Sequence, residues 1–181
     1  MSNLGSSPYN VMDSATGTGS SNTITFSSIP QTYKSLVFLG QGSTTYNSNF
    51  YEPIMMTFNN DSAANYALKS TLSLAGVQYS YDSSAGNNMR MDSIGSNDAS
   101  YWDTSGTTWW EVVIPNYTQS SGWHLYQGET GGIAYSTNHA FNGQNQGAYH
   151  PSTPAAITRV DFYLLNGNFS TATEVTMYGL R

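Results

Sequence analysis

From residue 23 onward, apolar side chains recur at every second position in short runs, separated by clusters of Gly, Asn, Ser and Pro. Period 2 is the repeat of a pleated strand, whose successive side chains point to opposite faces. The segments ITFSSI (24–29), KSLVFLG (34–40) and PIMMTF (53–58) read this way, with Ile54, Met56 and Phe58 on one face of the third. TTWWEVVI (107–114) is the clearest strand: Trp110, Val112 and Ile114 share one side, and Trp109, Glu111 and Val113 the other. LKSTLSLAGVQYSY (68–81) reads as a strand with a bend or bulge at Gly76, in preference to a short helix. WHLYQGE (123–129) and GIAYST (132–137) are so close that they form a hairpin or one kinked strand. AITRVDFYLL (156–165) and TEVTMYGL (173–180) are expected to pair with each other across NGNFSTA.

Two long polar segments, 82–98 and 139–154, read as loops, and loops of that length in a compact domain are where contacts concentrate. With about eight strands and no convincing helix, the expected fold is all-β, a jelly-roll-like two-sheet sandwich or flattened barrel. Residues 23–181 form that domain. Residues 1–22 carry few core-forming groups and many Gly, Ser and Thr, and read as an extended arm held by something outside the domain. The alternative is an arm lying along its own domain.

Composition narrows the function. Charged residues make up 9% of the 181 residues, well under the usual quarter, whereas aromatic residues reach 14%. The cations Lys34, Lys69, Arg90, Arg159 and Arg181 are scattered and the net charge is −6, so no basic stripe offers itself to nucleic acid. A neutral surface rich in Ser, Thr, Asn and Tyr suits assembly contacts or sugar-like ligands. With no cysteine, neither disulfides nor thiolate zinc sites enter the fold. The start MSNLGSSPYN reads as no signal peptide, and no apolar run is long enough for a membrane span.

Candidate chemistry is thin. FNNDSAANYAL (58–68) gathers Asp61 with Asn59, Asn60 and Asn65, but the alternating oxygens of a calcium loop are missing and the stretch reads as an Asx-type turn. Asp82, Asp92, Asp98 and Asp103 match no metal register either. His124, His139 and His150 lack zinc spacing, and no serine sits in a nucleophile elbow. Glu52, Glu111 and Asp161, the acids that could in principle pair for glycoside cleavage, are expected to face solvent. The expectation is therefore no enzyme, no cofactor and no metal. Trp109 and Trp110 are neighbours on one strand, so one indole must point away from the core and be covered by a sibling subunit, a loop or a sugar ring. Tyr9, Val11 and Met12 in the arm, with Trp109, Trp123 and Tyr149, make up the candidate interface.

Three stretches, IPQTYKSLVFLG, MTFNNDSAANYALKSTL and AITRVDFYLLNGNFSTATEVTMYGLR, occur in an order that resembles small β-structured virion proteins of tailed phages, notably those of cyanobacteria and other aquatic bacteria. The likeness spans residues 24–181. It implies a jelly-roll fold, a homotrimer and no known chemistry, with Asn59, Asp61, Asn65 and Tyr66 as determinants of a strand-to-strand corner. It further implies a capsid decoration protein on the outer virion surface, partnered by the major capsid protein. The alternative is a tail-fibre or receptor-binding protein that meets tail proteins and host glycans. One departure stands out: NYTQSSGWHLYQGET lacks the lysines expected after the central strand, which shifts any contact there toward Trp123.

Overall fold

The structure, a computed structural model, describes residues 8–46, 51–74, 76–95, 108–134 and 139–181. These form twelve strands in two antiparallel sheets, and the described residues contain no helix. The larger sheet runs β1 (Tyr9–Thr16), β12 (Glu174–Leu180), β3 (Ser35–Gly42), β8 (Thr108–Pro115), β9 (His124–Ala134), β10 (His139–Tyr149), β5 (Tyr66–Leu74), β6 (Val77–Gly86). The smaller runs β2 (Thr23–Phe26), β11 (Val160–Leu164), β4 (Tyr51–Phe58), β7 (Met89–Gly95). Packed face to face, they make the jelly-roll-like sandwich that the period-2 pattern implies.

Between the sheets, Phe26, Phe38 and Phe162 meet edge to face with centroids 5.2–6.4 Å apart, tying β2 and β11 to β3. Such aromatic contacts add to area burial by roughly 0.5–1.5 kcal/mol each. Trp110, Val112 and Ile114 point into this core, as alternation along β8 requires. On β4, Ile54, Met56 and Phe58 do the same.

Several sequence expectations change. There are twelve strands where about eight were expected. Residues 82–86 end β6 and 89–95 form β7, while 139–149 is β10, so two segments read as loops are largely strand. The 68–81 segment is a tight hairpin, β5 to β6, turning at Gly76 with φ +79°. Residues 124–134 form one strand. β12 does not pair with β11; it lies in the other sheet, between β1 and β3.

The arm changes as well. Residues 9–16 pair along β12 as the edge strand β1, with a register shift between Val11 and Asp13. Gly17, Gly19, Ser21 and Asn22 continue this attachment through backbone bonds of 2.9–3.0 Å to Thr173, Phe169 and Leu164. Met12 and Ala15 pack against the core. Residues 9–22 thus lie along their own domain: β12 offers an open edge whose N–H and C=O groups need partners, and β1 supplies them.

A recurring device holds the larger sheet together. Gly40 faces Trp110, Gly131 faces Trp109, Gly132 faces Phe141 and Gly147 faces Tyr126, each pair directly opposite in register. A Cβ on any of these glycines would fall 2.0–3.0 Å from the ring it faces. Each missing side chain makes room for an aromatic ring lying flat across the neighbouring strand.

Candidate interface site

Two regions collect the residues singled out by sequence: the turn at 58–66 and the outer face of the larger sheet.

At the turn, Asn59 and Asn60 both adopt positive φ, 52° and 58°, and Asp61 N donates to Phe58 O at 2.9 Å. That is the two-residue type I′ geometry, which asparagine tolerates through its short polar side chain. Asp61 is the hub. Its Oδ1 accepts from Ala63 N at 2.8 Å, its Oδ2 from Asn65 Nδ2 at 2.8 Å and Tyr149 OH at 2.9 Å, and its backbone O from Tyr66 OH at 2.8 Å. Asn59 reaches the other way, accepting from Thr158 N and donating to Ala156 O. Burial would raise the Asp61 pKa, but the bonds from Asn65, Ala63 and Tyr149 outweigh it and hold the carboxyl below its ordinary 3.8. Burial pushes both tyrosine hydroxyls well above their ordinary range.

Tyr149 therefore leaves the candidate interface: it is 3% exposed, stacks on Tyr66 at 4.9 Å and belongs to the core. Its place on β10, where the sequence reads as a loop, is the reason. His124 stacks on its ring and offers Nε2 to Ala155 O at 2.8 Å, while Nδ1 is buried without a partner. Burial lowers the His124 pKa below 6.5, against the opposing pull of the Ala155 carbonyl. The unfolded chain then binds a proton that the folded chain resists. The stabilisation is complete above about pH 6.5 and is lost as pH falls from there toward the folded value, with a limiting slope of about 1.4 kcal/mol per pH unit. Wild-type protein is expected to melt lower at pH 5 than at pH 7, and His124→Gln to lose that part of the difference; an equal loss in both would refute the role.

Two acids expected in solvent are also buried. Glu52 is 1% exposed and accepts Leu165 N and Asn166 N at 2.7 and 2.8 Å, fixing the turn between β11 and β12. Asp161 takes both arms of Arg159 at 2.7 and 2.8 Å and the Thr25 hydroxyl at 2.6 Å. No sequence signal marked Glu52 as buried, because its donors, the Leu165 and Asn166 N–H groups and the Asn166 side-chain amide, lie more than a hundred residues away.

The outer face of the larger sheet reads as rungs across its strands. One rung runs Tyr9, Leu180, Ser35, Pro115, and the next Val11, Tyr178, Val37, Val113, Gln127, Gln146, Lys69, Asp82. The third carries Ser14, Thr176, Leu39, Glu111, Glu129, Gln144, and the fourth Thr16, Glu174, Gln41, Trp109, Gly131, Asn142. Apart from Ser35, the first two rungs are apolar or aromatic from β1 to β8, and Leu125 and Ala148 extend them onto β9 and β10. A sandwich facing water on its outer side normally alternates apolar in and polar out. Here Val11 and Leu125 are 68% and 57% exposed on that side. Over β8, β9, β10, β5 and β6 the face sinks into a depression of about 870 Å³, floored by Val113, Pro115 and Leu125 and edged by Glu111, Glu129 and Asp82.

Of the expected interface residues, Tyr9, Val11 and Trp109 share this face, whereas Met12 turns inward. Trp109 lies over Gly131 with the rest of its indole bare, at 44% exposure. Trp123 is exposed beyond the start of β9, its ring 5.0 Å from His150. Sequence reasoning missed Leu125 and Pro115 as surface groups, and their clustering with Val113, because that depends on register. No protein-family model matches the chain, and no curated protein or solved structure is similar to it.

Proposed function

We propose that this chain is a structural protein of a phage virion, a capsid decoration protein that self-associates, as a trimer, on the outer surface of the shell and braces it. One observation carries the proposal: the apolar band across the outer face of the larger sheet, whose Tyr9, Val11 and Leu125 stand 49–68% exposed on paired strands while Val37 between them is covered. Paired strands lose little freedom on docking, so apolar area buried there converts to affinity with small ordering costs, at roughly 25 cal/mol per Å² before association entropy. Low charge supports it too, since neutral surfaces pack closely without desolvating ions. The sequence resemblance supplies the viral setting. Residues 9–22 being part of the sandwich, the sheet face is the better candidate for the shell contact.

A second reading, a tail-fibre or receptor-binding protein, draws support from the bare indoles of Trp109 and Trp123, either of which could stack on a sugar ring. Quantitative mass spectrometry of purified particles decides between them. Hundreds of copies per particle are expected for a decoration protein; a few dozen would favour the tail reading, and absence from the particle would end both.

A further inference from the structure

The outer face carries two unlike patches. At one end, Tyr9 and Val11 stand exposed beside Leu180 and Tyr178, and two cations flank them. Lys34 is placed there by its N–H to Leu180 O at 2.8 Å, and Arg181 follows Leu180 directly. At the other end lies the depression, where Glu111 and Glu129 are directly opposite across β8 and β9. Like charges facing each other on neighbouring strands destabilise a sheet, and neither carboxylate has a hydrogen bond or ion pair among the described residues. Of the other cations, Arg159 holds Asp161 and Arg90 sits over the Tyr81 ring, while Lys69 lines the depression itself, opposite Asp82, so that the hollow carries three acids to one base. The two remaining cations stand beside the exposed apolar corner, and the opposed acids line the apolar hollow.

We propose that the depression of one copy receives the Tyr9–Val11 corner of a second copy, with the second copy's Lys34 and Arg181 meeting Glu111 and Glu129. The proposal rests on the self-association read above and names the surfaces that carry it. The hollow matches the size of ordinary binding pockets, several hundred Å³, and its floor of Val113, Pro115 and Leu125 suits a tyrosine and a valine. A cation at the rim would stand beside two carboxylates on neighbouring strands at once. Because the patches differ, each copy uses one of each, the arrangement from which closed rings are built. Both patches sit on paired strands, so the contact needs no folding on docking.

The test uses the full chain, its mass in solution measured by sedimentation across a concentration series. One variant reverses the acids, Glu111→Lys with Glu129→Lys; another reverses the bases, Lys34→Glu with Arg181→Glu; a third, Val11→Ser, changes no charge. Wild type is expected to associate and each reversed variant to dissociate at least tenfold more readily. Val11→Ser is expected to weaken association without altering the melting temperature. A mixture of the two reversed variants is expected to associate more strongly than either variant alone, since each supplies what the other lacks at every contact between unlike copies, two of the three in a mixed trimer. If wild type associates and the reversed variants match it, the named surfaces are wrong while self-association stands. A mixture that associates no more strongly than either variant alone would also overturn the pairing. A wild type that is monomeric at every concentration removes the self-association itself.

Discussion

Gly40→Ala is expected to cost about 3 kcal/mol, which for a chain of this size is a fall of roughly 10 °C in melting temperature. A Cβ at Gly40 would lie 2.0 Å from Cε2 and 2.2 Å from Cζ2 of Trp110, the indole that crosses from β8 onto β3. Trp110 is 1% exposed and walled by the core, so it has nowhere to go. Entropy alone would favour alanine at an interior strand position, which makes the sign of the change diagnostic of packing. Gly131→Ala is the internal comparison. The clash there is milder, 2.8–3.0 Å, and the ring is Trp109, which is free to swing toward solvent. Its expected cost is below about 1 kcal/mol. Thermal melts of the two variants with Gly40→Ala/Trp110→Phe give the check: the smaller ring should relieve part of the clash, a coupling that independent sites do not show. Equal losses at Gly40 and Gly131 would mean that the glycine–aromatic pairs are incidental.

These pairs also explain what was legible in the sequence. β3, β4 and β8 declared themselves because their inward positions are Leu36, Phe38, Ile54, Met56, Trp110 and Val112, an alternation no loop imitates. β10 did not, because HAFNGQNQGAY puts Gly143, Asn145 and Gly147 on the inward side between Phe141 and Tyr149. Gly147 leaves its space to Tyr126 of the neighbouring strand, so the apolar group serving that position is encoded more than twenty residues earlier. A reading that assigns each strand its own core residues sees only a polar loop. β6 was legible as strand only as far as Tyr81, within 68–81. Its end, 82–86, was hidden for the opposite reason: it lies at the sheet edge with no buried side chain, so no burial pattern is written into it.

For the candidate interface, single-strand alternation was enough to place Trp109 and Trp110 on opposite faces; the structure sends Trp109 outward and Trp110 inward. The apolar band and the acid pair were not readable. Val37, Val113 and Tyr178 come from separate parts of the chain and align only through the register of two strand pairs, as Glu111 and Glu129 do through a third. β12 was misplaced by the same limit: short connections favour pairing of neighbours, but the turn after β11 crosses to the other sheet, steadied there by buried Glu52.

The corner at 58–66 was legible in sequence as a turn, and its energetic weight follows from who donates to Asp61. Asp61→Ala is expected to cost about 4 kcal/mol. Charge-assisted bonds contribute roughly 1.5–3 kcal/mol, and a buried hydroxyl left without an acceptor costs about 1–3 kcal/mol more. That hydroxyl is Tyr149 OH, which loses Oδ2 while its ring stays clamped between Tyr66 and His124. Asp61→Asn, which keeps one acceptor oxygen and loses the charge, should cost about half as much. Tyr149→Phe should be destabilising in wild type yet close to neutral in the Asp61→Ala background, because the orphaned donor is then removed. The Asp61 pKa is lowered on folding, so its contribution is complete above about pH 3.8 and is lost as pH falls through the folded value. The gap between wild type and Asp61→Ala should therefore hold steady through neutral pH and narrow in strong acid. Urea melts at pH 7 and pH 3 measure it directly. A cost under about 1 kcal/mol at pH 7, or full additivity with Tyr149→Phe, would show that the turn holds its shape through Asn59 and the backbone alone.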